Sequence, residues 1–404
     1  MRKITLLLLS FAFMSMTVFA GGYQVRLQGN KQNGFGLIGT PLSNGSSSIF
    51  YNPGSLAFMD GKLDFELGGS AILSTAAFQK SGSNYQAVTE NPVGTPFYFY
   101  IAGKIGKVVA LGLGVYTPYG NSSKWESEWA GKYLIQDIAL SAIFIQPTIS
   151  FNFGEKFGIG GGFIYTIGGV EINKALNYSG GAGVNLQGSS SAMGYNLGLF
   201  FKPAENWSIG LNYRSRIDMK IEGGDATFTI PKSLQGTIPT ENKFDAELPL
   251  PANLDLGVAI QATDKLLIAI EFDWIFWGAY DSLSFSFEEA GELLDSQNPR
   301  KYSDTFIPRI GIQYAFSEKF EIRGGAYYDT SPADDRYFTP ETVTLNTLAY
   351  TLGLTWNPTT YLGIDLSFLQ TFGIKAEKNY QPDNFGGTYQ TGAIIPGLGL
   401  SFKF

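Results

Sequence analysis

From about residue 62 to the last residue, the chain alternates apolar and polar positions with a period of two. Leu362, Ile364, Leu366 and Phe368 alternate with Gly363, Asp365 and Ser367. Leu348, Tyr350, Leu352, Leu354 and Trp356 alternate with Ala349, Thr351, Gly353 and Thr355. Trp207, Ile209, Leu211 and Tyr213 repeat the pattern, as do Leu266, Ile268, Ile270, Phe272 and Trp274. Successive side chains of a strand point to opposite faces, so each run predicts a strand with one apolar and one polar face. The final stretch is the most telling. Ile394, Pro396, Leu398, Leu400, Phe402 and Phe404 share one face, and Gly397, Gly399, Ser401 and Lys403 the other. An end of this kind suits a transmembrane barrel whose closing strand carries an aromatic at the bilayer edge.

Short polar turns punctuate the strands at 104–107, 154–156, 203–206, 263–265, 317–319 and 357–360. Each is rich in residues that favour tight hairpins. Longer, irregular connections fall between them, at 79–92, 119–137, 175–190, 224–247, 277–304, 331–344 and 376–388. Short turns on one rim and long loops on the other are the periplasmic and extracellular asymmetry of outer-membrane barrels. Six internal hairpins, an opening strand near 62–78 and a closing strand near 389–404 predict a 14-stranded antiparallel transmembrane β-barrel over residues 61–404.

Residues 21–60 break the pattern. Gly21-Gly22-Tyr23, Asn33-Gly34-Phe35-Gly36, Asn44-Gly45-Ser46-Ser47-Ser48 and Asn52-Pro53-Gly54 show no sustained alternation. The segment is too long for an ordinary loop and, with Phe35, Ile38, Phe50 and Tyr51, too apolar for a solvated tail. Its expected place is inside the lumen, as a plug.

Composition agrees with that architecture. Aromatic residues make up 15% and charged residues only 16%, with 50 glycines, as an apolar outer face demands. Residues 1–20 are expected to be a signal peptide: Arg2 and Lys3 precede an apolar run, which ends in Val18-Phe19-Ala20. Its removal would lower the basic count from 28 to 26 against 35 acidic residues, a charge of −9. That sign argues against nucleic acid as a partner. The chain has no His and no Cys, so imidazole bases, thiolate nucleophiles and the usual transition-metal sites are missing. No catalytic residue, metal or cofactor is expected. After residue 20 no apolar run is long enough for a helical membrane span.

Several motifs, in order, give the chain a resemblance to the outer-membrane long-chain fatty-acid and hydrocarbon transporters, the FadL/TodX (OMPP1-like) family. Gly21-Gly22-Tyr23-Gln24 resembles the family's mature start, and Ser48-Ile49-Phe50-Tyr51-Asn52-Pro53-Gly54 its Asn-Pro-Ala plug motif, with Gly54 in place of Ala. Tyr213-Arg214-Ser215, Leu248-Pro249-Leu250-Pro251 and Phe320-Glu321-Ile322-Arg323-Gly324-Gly325 through Asp329-Thr330-Ser331-Pro332 resemble its later strand signatures. The resemblance implies passive uptake of a hydrophobic molecule. Capture among extracellular loops is followed by an apolar pocket beside the plug and lateral exit through a gap at a kinked third strand. By turn count that strand is 108–118, and Gly112, Gly114 and Pro118 would permit the bend.

Candidate residues follow from that implication. Tyr23, Phe35, Phe50 and Tyr51 are plausible pocket linings, and a free amino group on Gly21 could approach a carboxylate. Arg214, Arg309 and Arg323 are placed inward by alternation, with Lys174 a weaker candidate; such charges either meet a head group or hold the plug. Asn52, Pro53 and Gly54 would form the gate. Trp125 and Trp129 have helical spacing in a long loop, which suggests a short amphipathic surface helix at an entry groove. The expected partners are hydrophobic small molecules and outer-membrane lipid, and a monomer is expected because a closed barrel has no free edge. Fatty acids and aromatic hydrocarbons both remain open as substrates, and a general porin or surface barrel is the alternative of another class.

Overall fold

The computed structural model describes residues 22–404. The expected signal segment and Gly21 lie outside the described residues. The strands are β1 (Leu63–Ser70 and Leu73–Lys80), β2 (Gln86–Val88 and Phe97–Ile105), β3 (Val109–Lys124), β4 (Asp137–Phe153), β5 (Phe157–Leu176), β6 (Ala182–Ala204) and β7 (Trp207–Arg214 and Ile217–Thr229). They continue as β8 (Glu241–Leu250 and Asn253–Thr263), β9 (Leu266–Ile275 and Ser282–Phe287), β10 (Ser296–Pro299 and Thr305–Ser317) and β11 (Phe320–Asp329). The last three are β12 (Thr347–Trp356), β13 (Leu362–Gly373 and Ala376–Tyr380) and β14 (Phe385–Lys403). Each pairs antiparallel with its neighbours, and β14 closes on β1 from Asp64↔Lys403 to Ser70↔Gly397. The result is a closed 14-stranded barrel.

Outward side chains form a continuous apolar belt that includes Phe99, Leu113, Phe163, Leu197, Ile270, Ile322, Leu352 and Leu398, all exposed. So large an exposed apolar surface is stable only in lipid. The strands run farther toward the long-loop rim than alternation indicates. β3 continues to Lys124 and β6 begins at Ala182, through stretches expected to be loops. Beyond the bilayer neither face must be apolar, so Asn121, Ser122, Asn185 and Gln187 carry the ladder without a hydrophobic signature.

The plug fills the lumen with short pieces: α1 (Asn30–Asn33), a 3-10 turn (Gly45–Ser47), α2 (Ser48–Tyr51) and a second 3-10 turn (Pro53–Phe58). The Asn52 side chain organises the last turn. Its Oδ1 accepts from Gly54 N at 2.9 Å, and its Nδ2 donates to the carbonyls of Thr40 at 2.8 Å and Leu199 at 2.9 Å. Pro53 starts the turn where an N–H would have no partner. The wall beneath is bare backbone. A Cβ on Gly198 would lie 2.1 Å from Asn52 Oδ1, and one on Gly210 1.9 Å from Thr40 O. Gly54 faces the same limit, since a Cβ there would lie 2.6 Å from Gly198 O.

Two ladders of the wall are interrupted. β2 and β3 pair up to Tyr98↔Tyr116, and the chain after Val88 meets β3 again where Glu90 N donates to Lys124 O at 2.8 Å. β6 and β7 pair from the short-turn rim up to Asn196↔Arg214 and resume at Gln187↔Asp225. Between those limits the recorded backbone bond is Ser215 N to Tyr195 O, 2.9 Å.

Candidate functional site

Above the plug, strands β3 to β9 enclose an apolar cavity of about 60 Å³, lined by Tyr23, Tyr119, Ile138, Ile172, Met219, Leu250, Leu283 and Phe285 among others. Tyr23 forms its floor. Its ring meets Trp277 edge-on at 4.9 Å and Tyr280 at 5.8 Å, and its hydroxyl donates to Pro249 O. Burial pushes the Tyr23 phenol well above its usual range, so it stays a neutral donor.

The same N-terminal segment closes the β2–β3 break. Val25 N donates to Pro118 O at 2.7 Å, Gly120 N to Tyr23 O at 2.9 Å, and Gln28 Nε2 to Thr117 O at 2.7 Å. Pro118 has no N–H to offer β2, and the β3–β4 register slips between Tyr116 and Tyr119. Plug backbone thus stands in for the missing strand edge. Of the three residues expected to permit the bend, Pro118 lies at the irregularity, Thr117–Tyr119, and Gly112 and Gly114 do not. Both glycines sit in regular ladder, opposite Ala102 and Tyr100, and make room for the plug: a Cβ on Gly112 would lie 2.7 Å from Ile49 Cδ1.

The other expected residues separate into different surroundings. Phe35 packs with Ile38, Ala259 and Ala269 and faces an open vestibule of about 720 Å³ on the short-turn side, away from the apolar cavity. Phe50 and Tyr51 are buried in the plug, Phe50 beneath the Arg214 guanidinium at 4.2 Å. The three arginines point inward, as alternation indicates, but differ in their partners. Arg309 donates to Asp273 Oδ2 at 2.8 and 2.7 Å. Arg323 contacts Glu321, Gln313 and Thr355. Arg214 has no acid: Nη2 donates to Phe50 O at 2.8 Å, and Nε and Nη1 have no partner among the described residues.

Sequence reasoning missed Arg26. This plug residue reaches Asp255 at 3.0 Å, Glu271 at 2.6 Å and Asp273 at 3.3 Å, locking the plug to β8 and β9. Glu271 also accepts from the N–H groups of Gly39 and Thr40. The acids on alternate inward positions of two adjoining strands were its only signal.

At the long-loop rim, Trp125 and Trp129 are buried and stacked at 4.2 Å, and no helix forms over 125–136. Their N–H groups go to Pro340 O and Ile135 O. The loop folds as successive turns because each indole finds a partner inward, where an exposed amphipathic helix would leave both in water. Lys174 projects inward on β5, two residues above Ile172, into a polar antechamber shared with Arg300, Glu341 and Asp383. Arg300 is paired with Glu341 at 2.7 Å, whereas the Lys174 side chain has no ion pair or hydrogen bond among the described residues.

Known proteins agree with this layout. Residues 11–404 match the sequence profile described as outer membrane protein transport protein (OMPP1/FadL/TodX). Outer membrane protein P1 of Haemophilus influenzae is 25% identical over 379 residues, covering 83% of this chain and 81% of that one. A putative outer membrane protein of Neisseria meningitidis is 22% identical over 82% and 81%. A crystal structure of a Pseudomonas aeruginosa FadL homologue superposes with a TM-score of 0.85 at 18% identity, over 95% of this chain and 100% of that one. The Pseudomonas putida toluene transporter TodX superposes at 0.77 and 17% identity, over 96% and 100%.

Proposed function

Since the chain belongs to the OMPP1/FadL/TodX family of outer membrane transport proteins and so carries hydrophobic compounds across the outer membrane, we propose that its substrates are long-chain fatty acids. They are captured at the extracellular loops, held in the apolar cavity beside Tyr23, and released through the wall at β3. Transport is passive.

One observation carries the choice of substrate. The apolar cavity shares Ile172, Leu283, Phe285 and Glu341 with the antechamber of Lys174, an amine that has no ion pair among the described residues. Each buried methylene contributes roughly 0.8 kcal/mol, so a long tail provides the affinity and the cation selects the carboxylate. The cavity is far below the ~300 Å³ of ordinary ligand sites, so a tail must displace its lining. Tyr23 is both floor of the cavity and partner of Gly120. A tail that moves Tyr23 therefore loosens the plug segment that covers the free edge of β3.

The small volume and nearly unbroken apolar lining favour a second reading, in which the cargo is an aromatic hydrocarbon. Uptake of labelled oleate and of toluene, in cells lacking their own fatty-acid porin, separates the two. Oleate uptake that falls with Lys174→Met and with Asn52→Ala/Pro53→Ala at matched surface levels supports fatty acids. Toluene uptake alone, unaffected by Lys174→Met, replaces that reading with the second.

A further inference from the structure

The β6–β7 interruption is a slot closed at both ends, by Asn196↔Arg214 on one side and Gln187↔Asp225 on the other. Unlike the β2–β3 break, it is not bridged by plug backbone; side chains shut it. Ile217, Met219 and Ile221 of β7 lie across glycines of β5 and β6. A Cβ on Gly194 would lie 2.6 Å from Ile217 Cδ1, one on Gly168 3.0 Å from Met219 Cε, and one on Gly188 2.5 Å from Ile221 Cγ2. Directly behind, Ser190, Met219 and Ile221 line the apolar cavity.

The outer side of the slot has the marks of a lipid headgroup zone. Tyr195 and Tyr213 stand together at its lower end, ring centroids 6.0 Å apart. Above them Arg216 pairs with Asp218 at 2.5 Å and Lys220 with Glu247 at 3.8 Å, all well exposed. Paired aromatics beneath a charged cluster mark the level at which hydrocarbon gives way to headgroups. Unpaired strand edges are costly in lipid and are tolerated where they border a cavity.

We propose that this slot is a lateral passage, by which the tail of a single-chain amphiphile moves between the outer leaflet and the apolar cavity. The inference rests on the transport reading above. Its carboxylate stays beside Arg216 and Lys220 while the tail slips past Ile217, Met219 and Ile221. Rotation of these three side chains opens the slot without breaking a ladder. The glycines opposite supply the space into which they close.

The chain has no cysteine, so a disulfide staple can be placed in a clean background. An added Cβ at 188 would meet Cγ2, Cδ1 and Cγ1 of Ile221 at 2.5, 3.1 and 3.4 Å, which sets the two Cβ atoms within the ~3.5–4.5 Å that a disulfide spans. Gly188→Cys/Ile221→Cys is compared with a control staple above the slot, Asn185→Cys/Thr227→Cys, whose positions are already register partners. Uptake of labelled oleate is measured oxidised and reduced, at equal surface levels. Oxidation of the slot staple is expected to lower uptake severalfold, with recovery on reduction and no effect of the control staple. Full uptake with the slot staple closed would overturn the passage and leave fatty-acid transport standing. No oleate uptake by the unaltered protein would overturn both. Should the staple form poorly, Ile217→Ala/Ile221→Ala decides: faster uptake supports the passage, and unchanged uptake overturns it.

Discussion

Arg214 is 1% exposed and stacks on Phe50, with two guanidinium nitrogens unpartnered and no carboxylate in contact. Arg309 is equally sequestered, yet Asp273 takes two of its N–H groups. The two should respond differently to neutral replacement. Arg309→Met strips a partner from a buried acid and is expected to lower stability by about 3 kcal/mol. Arg214→Met removes a charge with no acid to answer it, and stability should hold or rise. Urea midpoints of the detergent-solubilised barrel check both, and a larger loss for Arg214→Met would contradict this account. Alternation was enough to turn all three arginines inward, because it depends only on strand period. It was silent on most of their partners, such as Asp273 and Thr355 on neighbouring strands and the Phe50 carbonyl on the plug. No local pattern encodes such a meeting.

Seating of the plug is a property of elements. β5, β6 and β7 present glycine backbone where Thr40, Asn52 and Pro53 come down, and a single methyl group is too much at Gly210. Gly210→Ala should unseat the plug and expose the bonds after Arg26 and Lys31 to trypsin, in a barrel that still resists heat in detergent. Gly324→Ala is the control, since a Cβ there meets nothing nearer than 3.7 Å and should change neither. The strand count and the plug were legible because membrane strands alternate strictly and residues 22–60 do not. The extensions beyond the bilayer were not, since neither face there has to be apolar. Nor was the folded loop of Trp125 and Trp129, whose spacing fits a helix equally well. Burial of those rings depends on Phe78 and Phe385, which arrive from β1 and β14.

For the whole molecule, the ionic contacts concentrate on one side of the lumen. Arg26 and Arg309 face Asp255, Glu271 and Asp273, so plug, β8, β9 and β10 move as one body. The β2–β3 interruption lies across the barrel from this cluster, whereas the β6–β7 interruption adjoins β8. Arg26→Ala should therefore free the plug where it is anchored, with about 3–5 kcal/mol lost because three acids stay buried with one arginine. Thermal unfolding of the purified protein, read beside oleate uptake, tests whether anchorage and transport separate.

The vestibule on the periplasmic side is wide and polar, but it ends on Gln32, Phe35, Ile38 and Leu42 of the plug. Water and ions can enter it and go no farther. In a planar bilayer the protein should be electrically silent, showing none of the steady conductance of an open pore, even while it passes hydrophobic compounds. A bacterium could then insert many copies of this barrel and remain as resistant to bulky hydrophilic antibiotics as before.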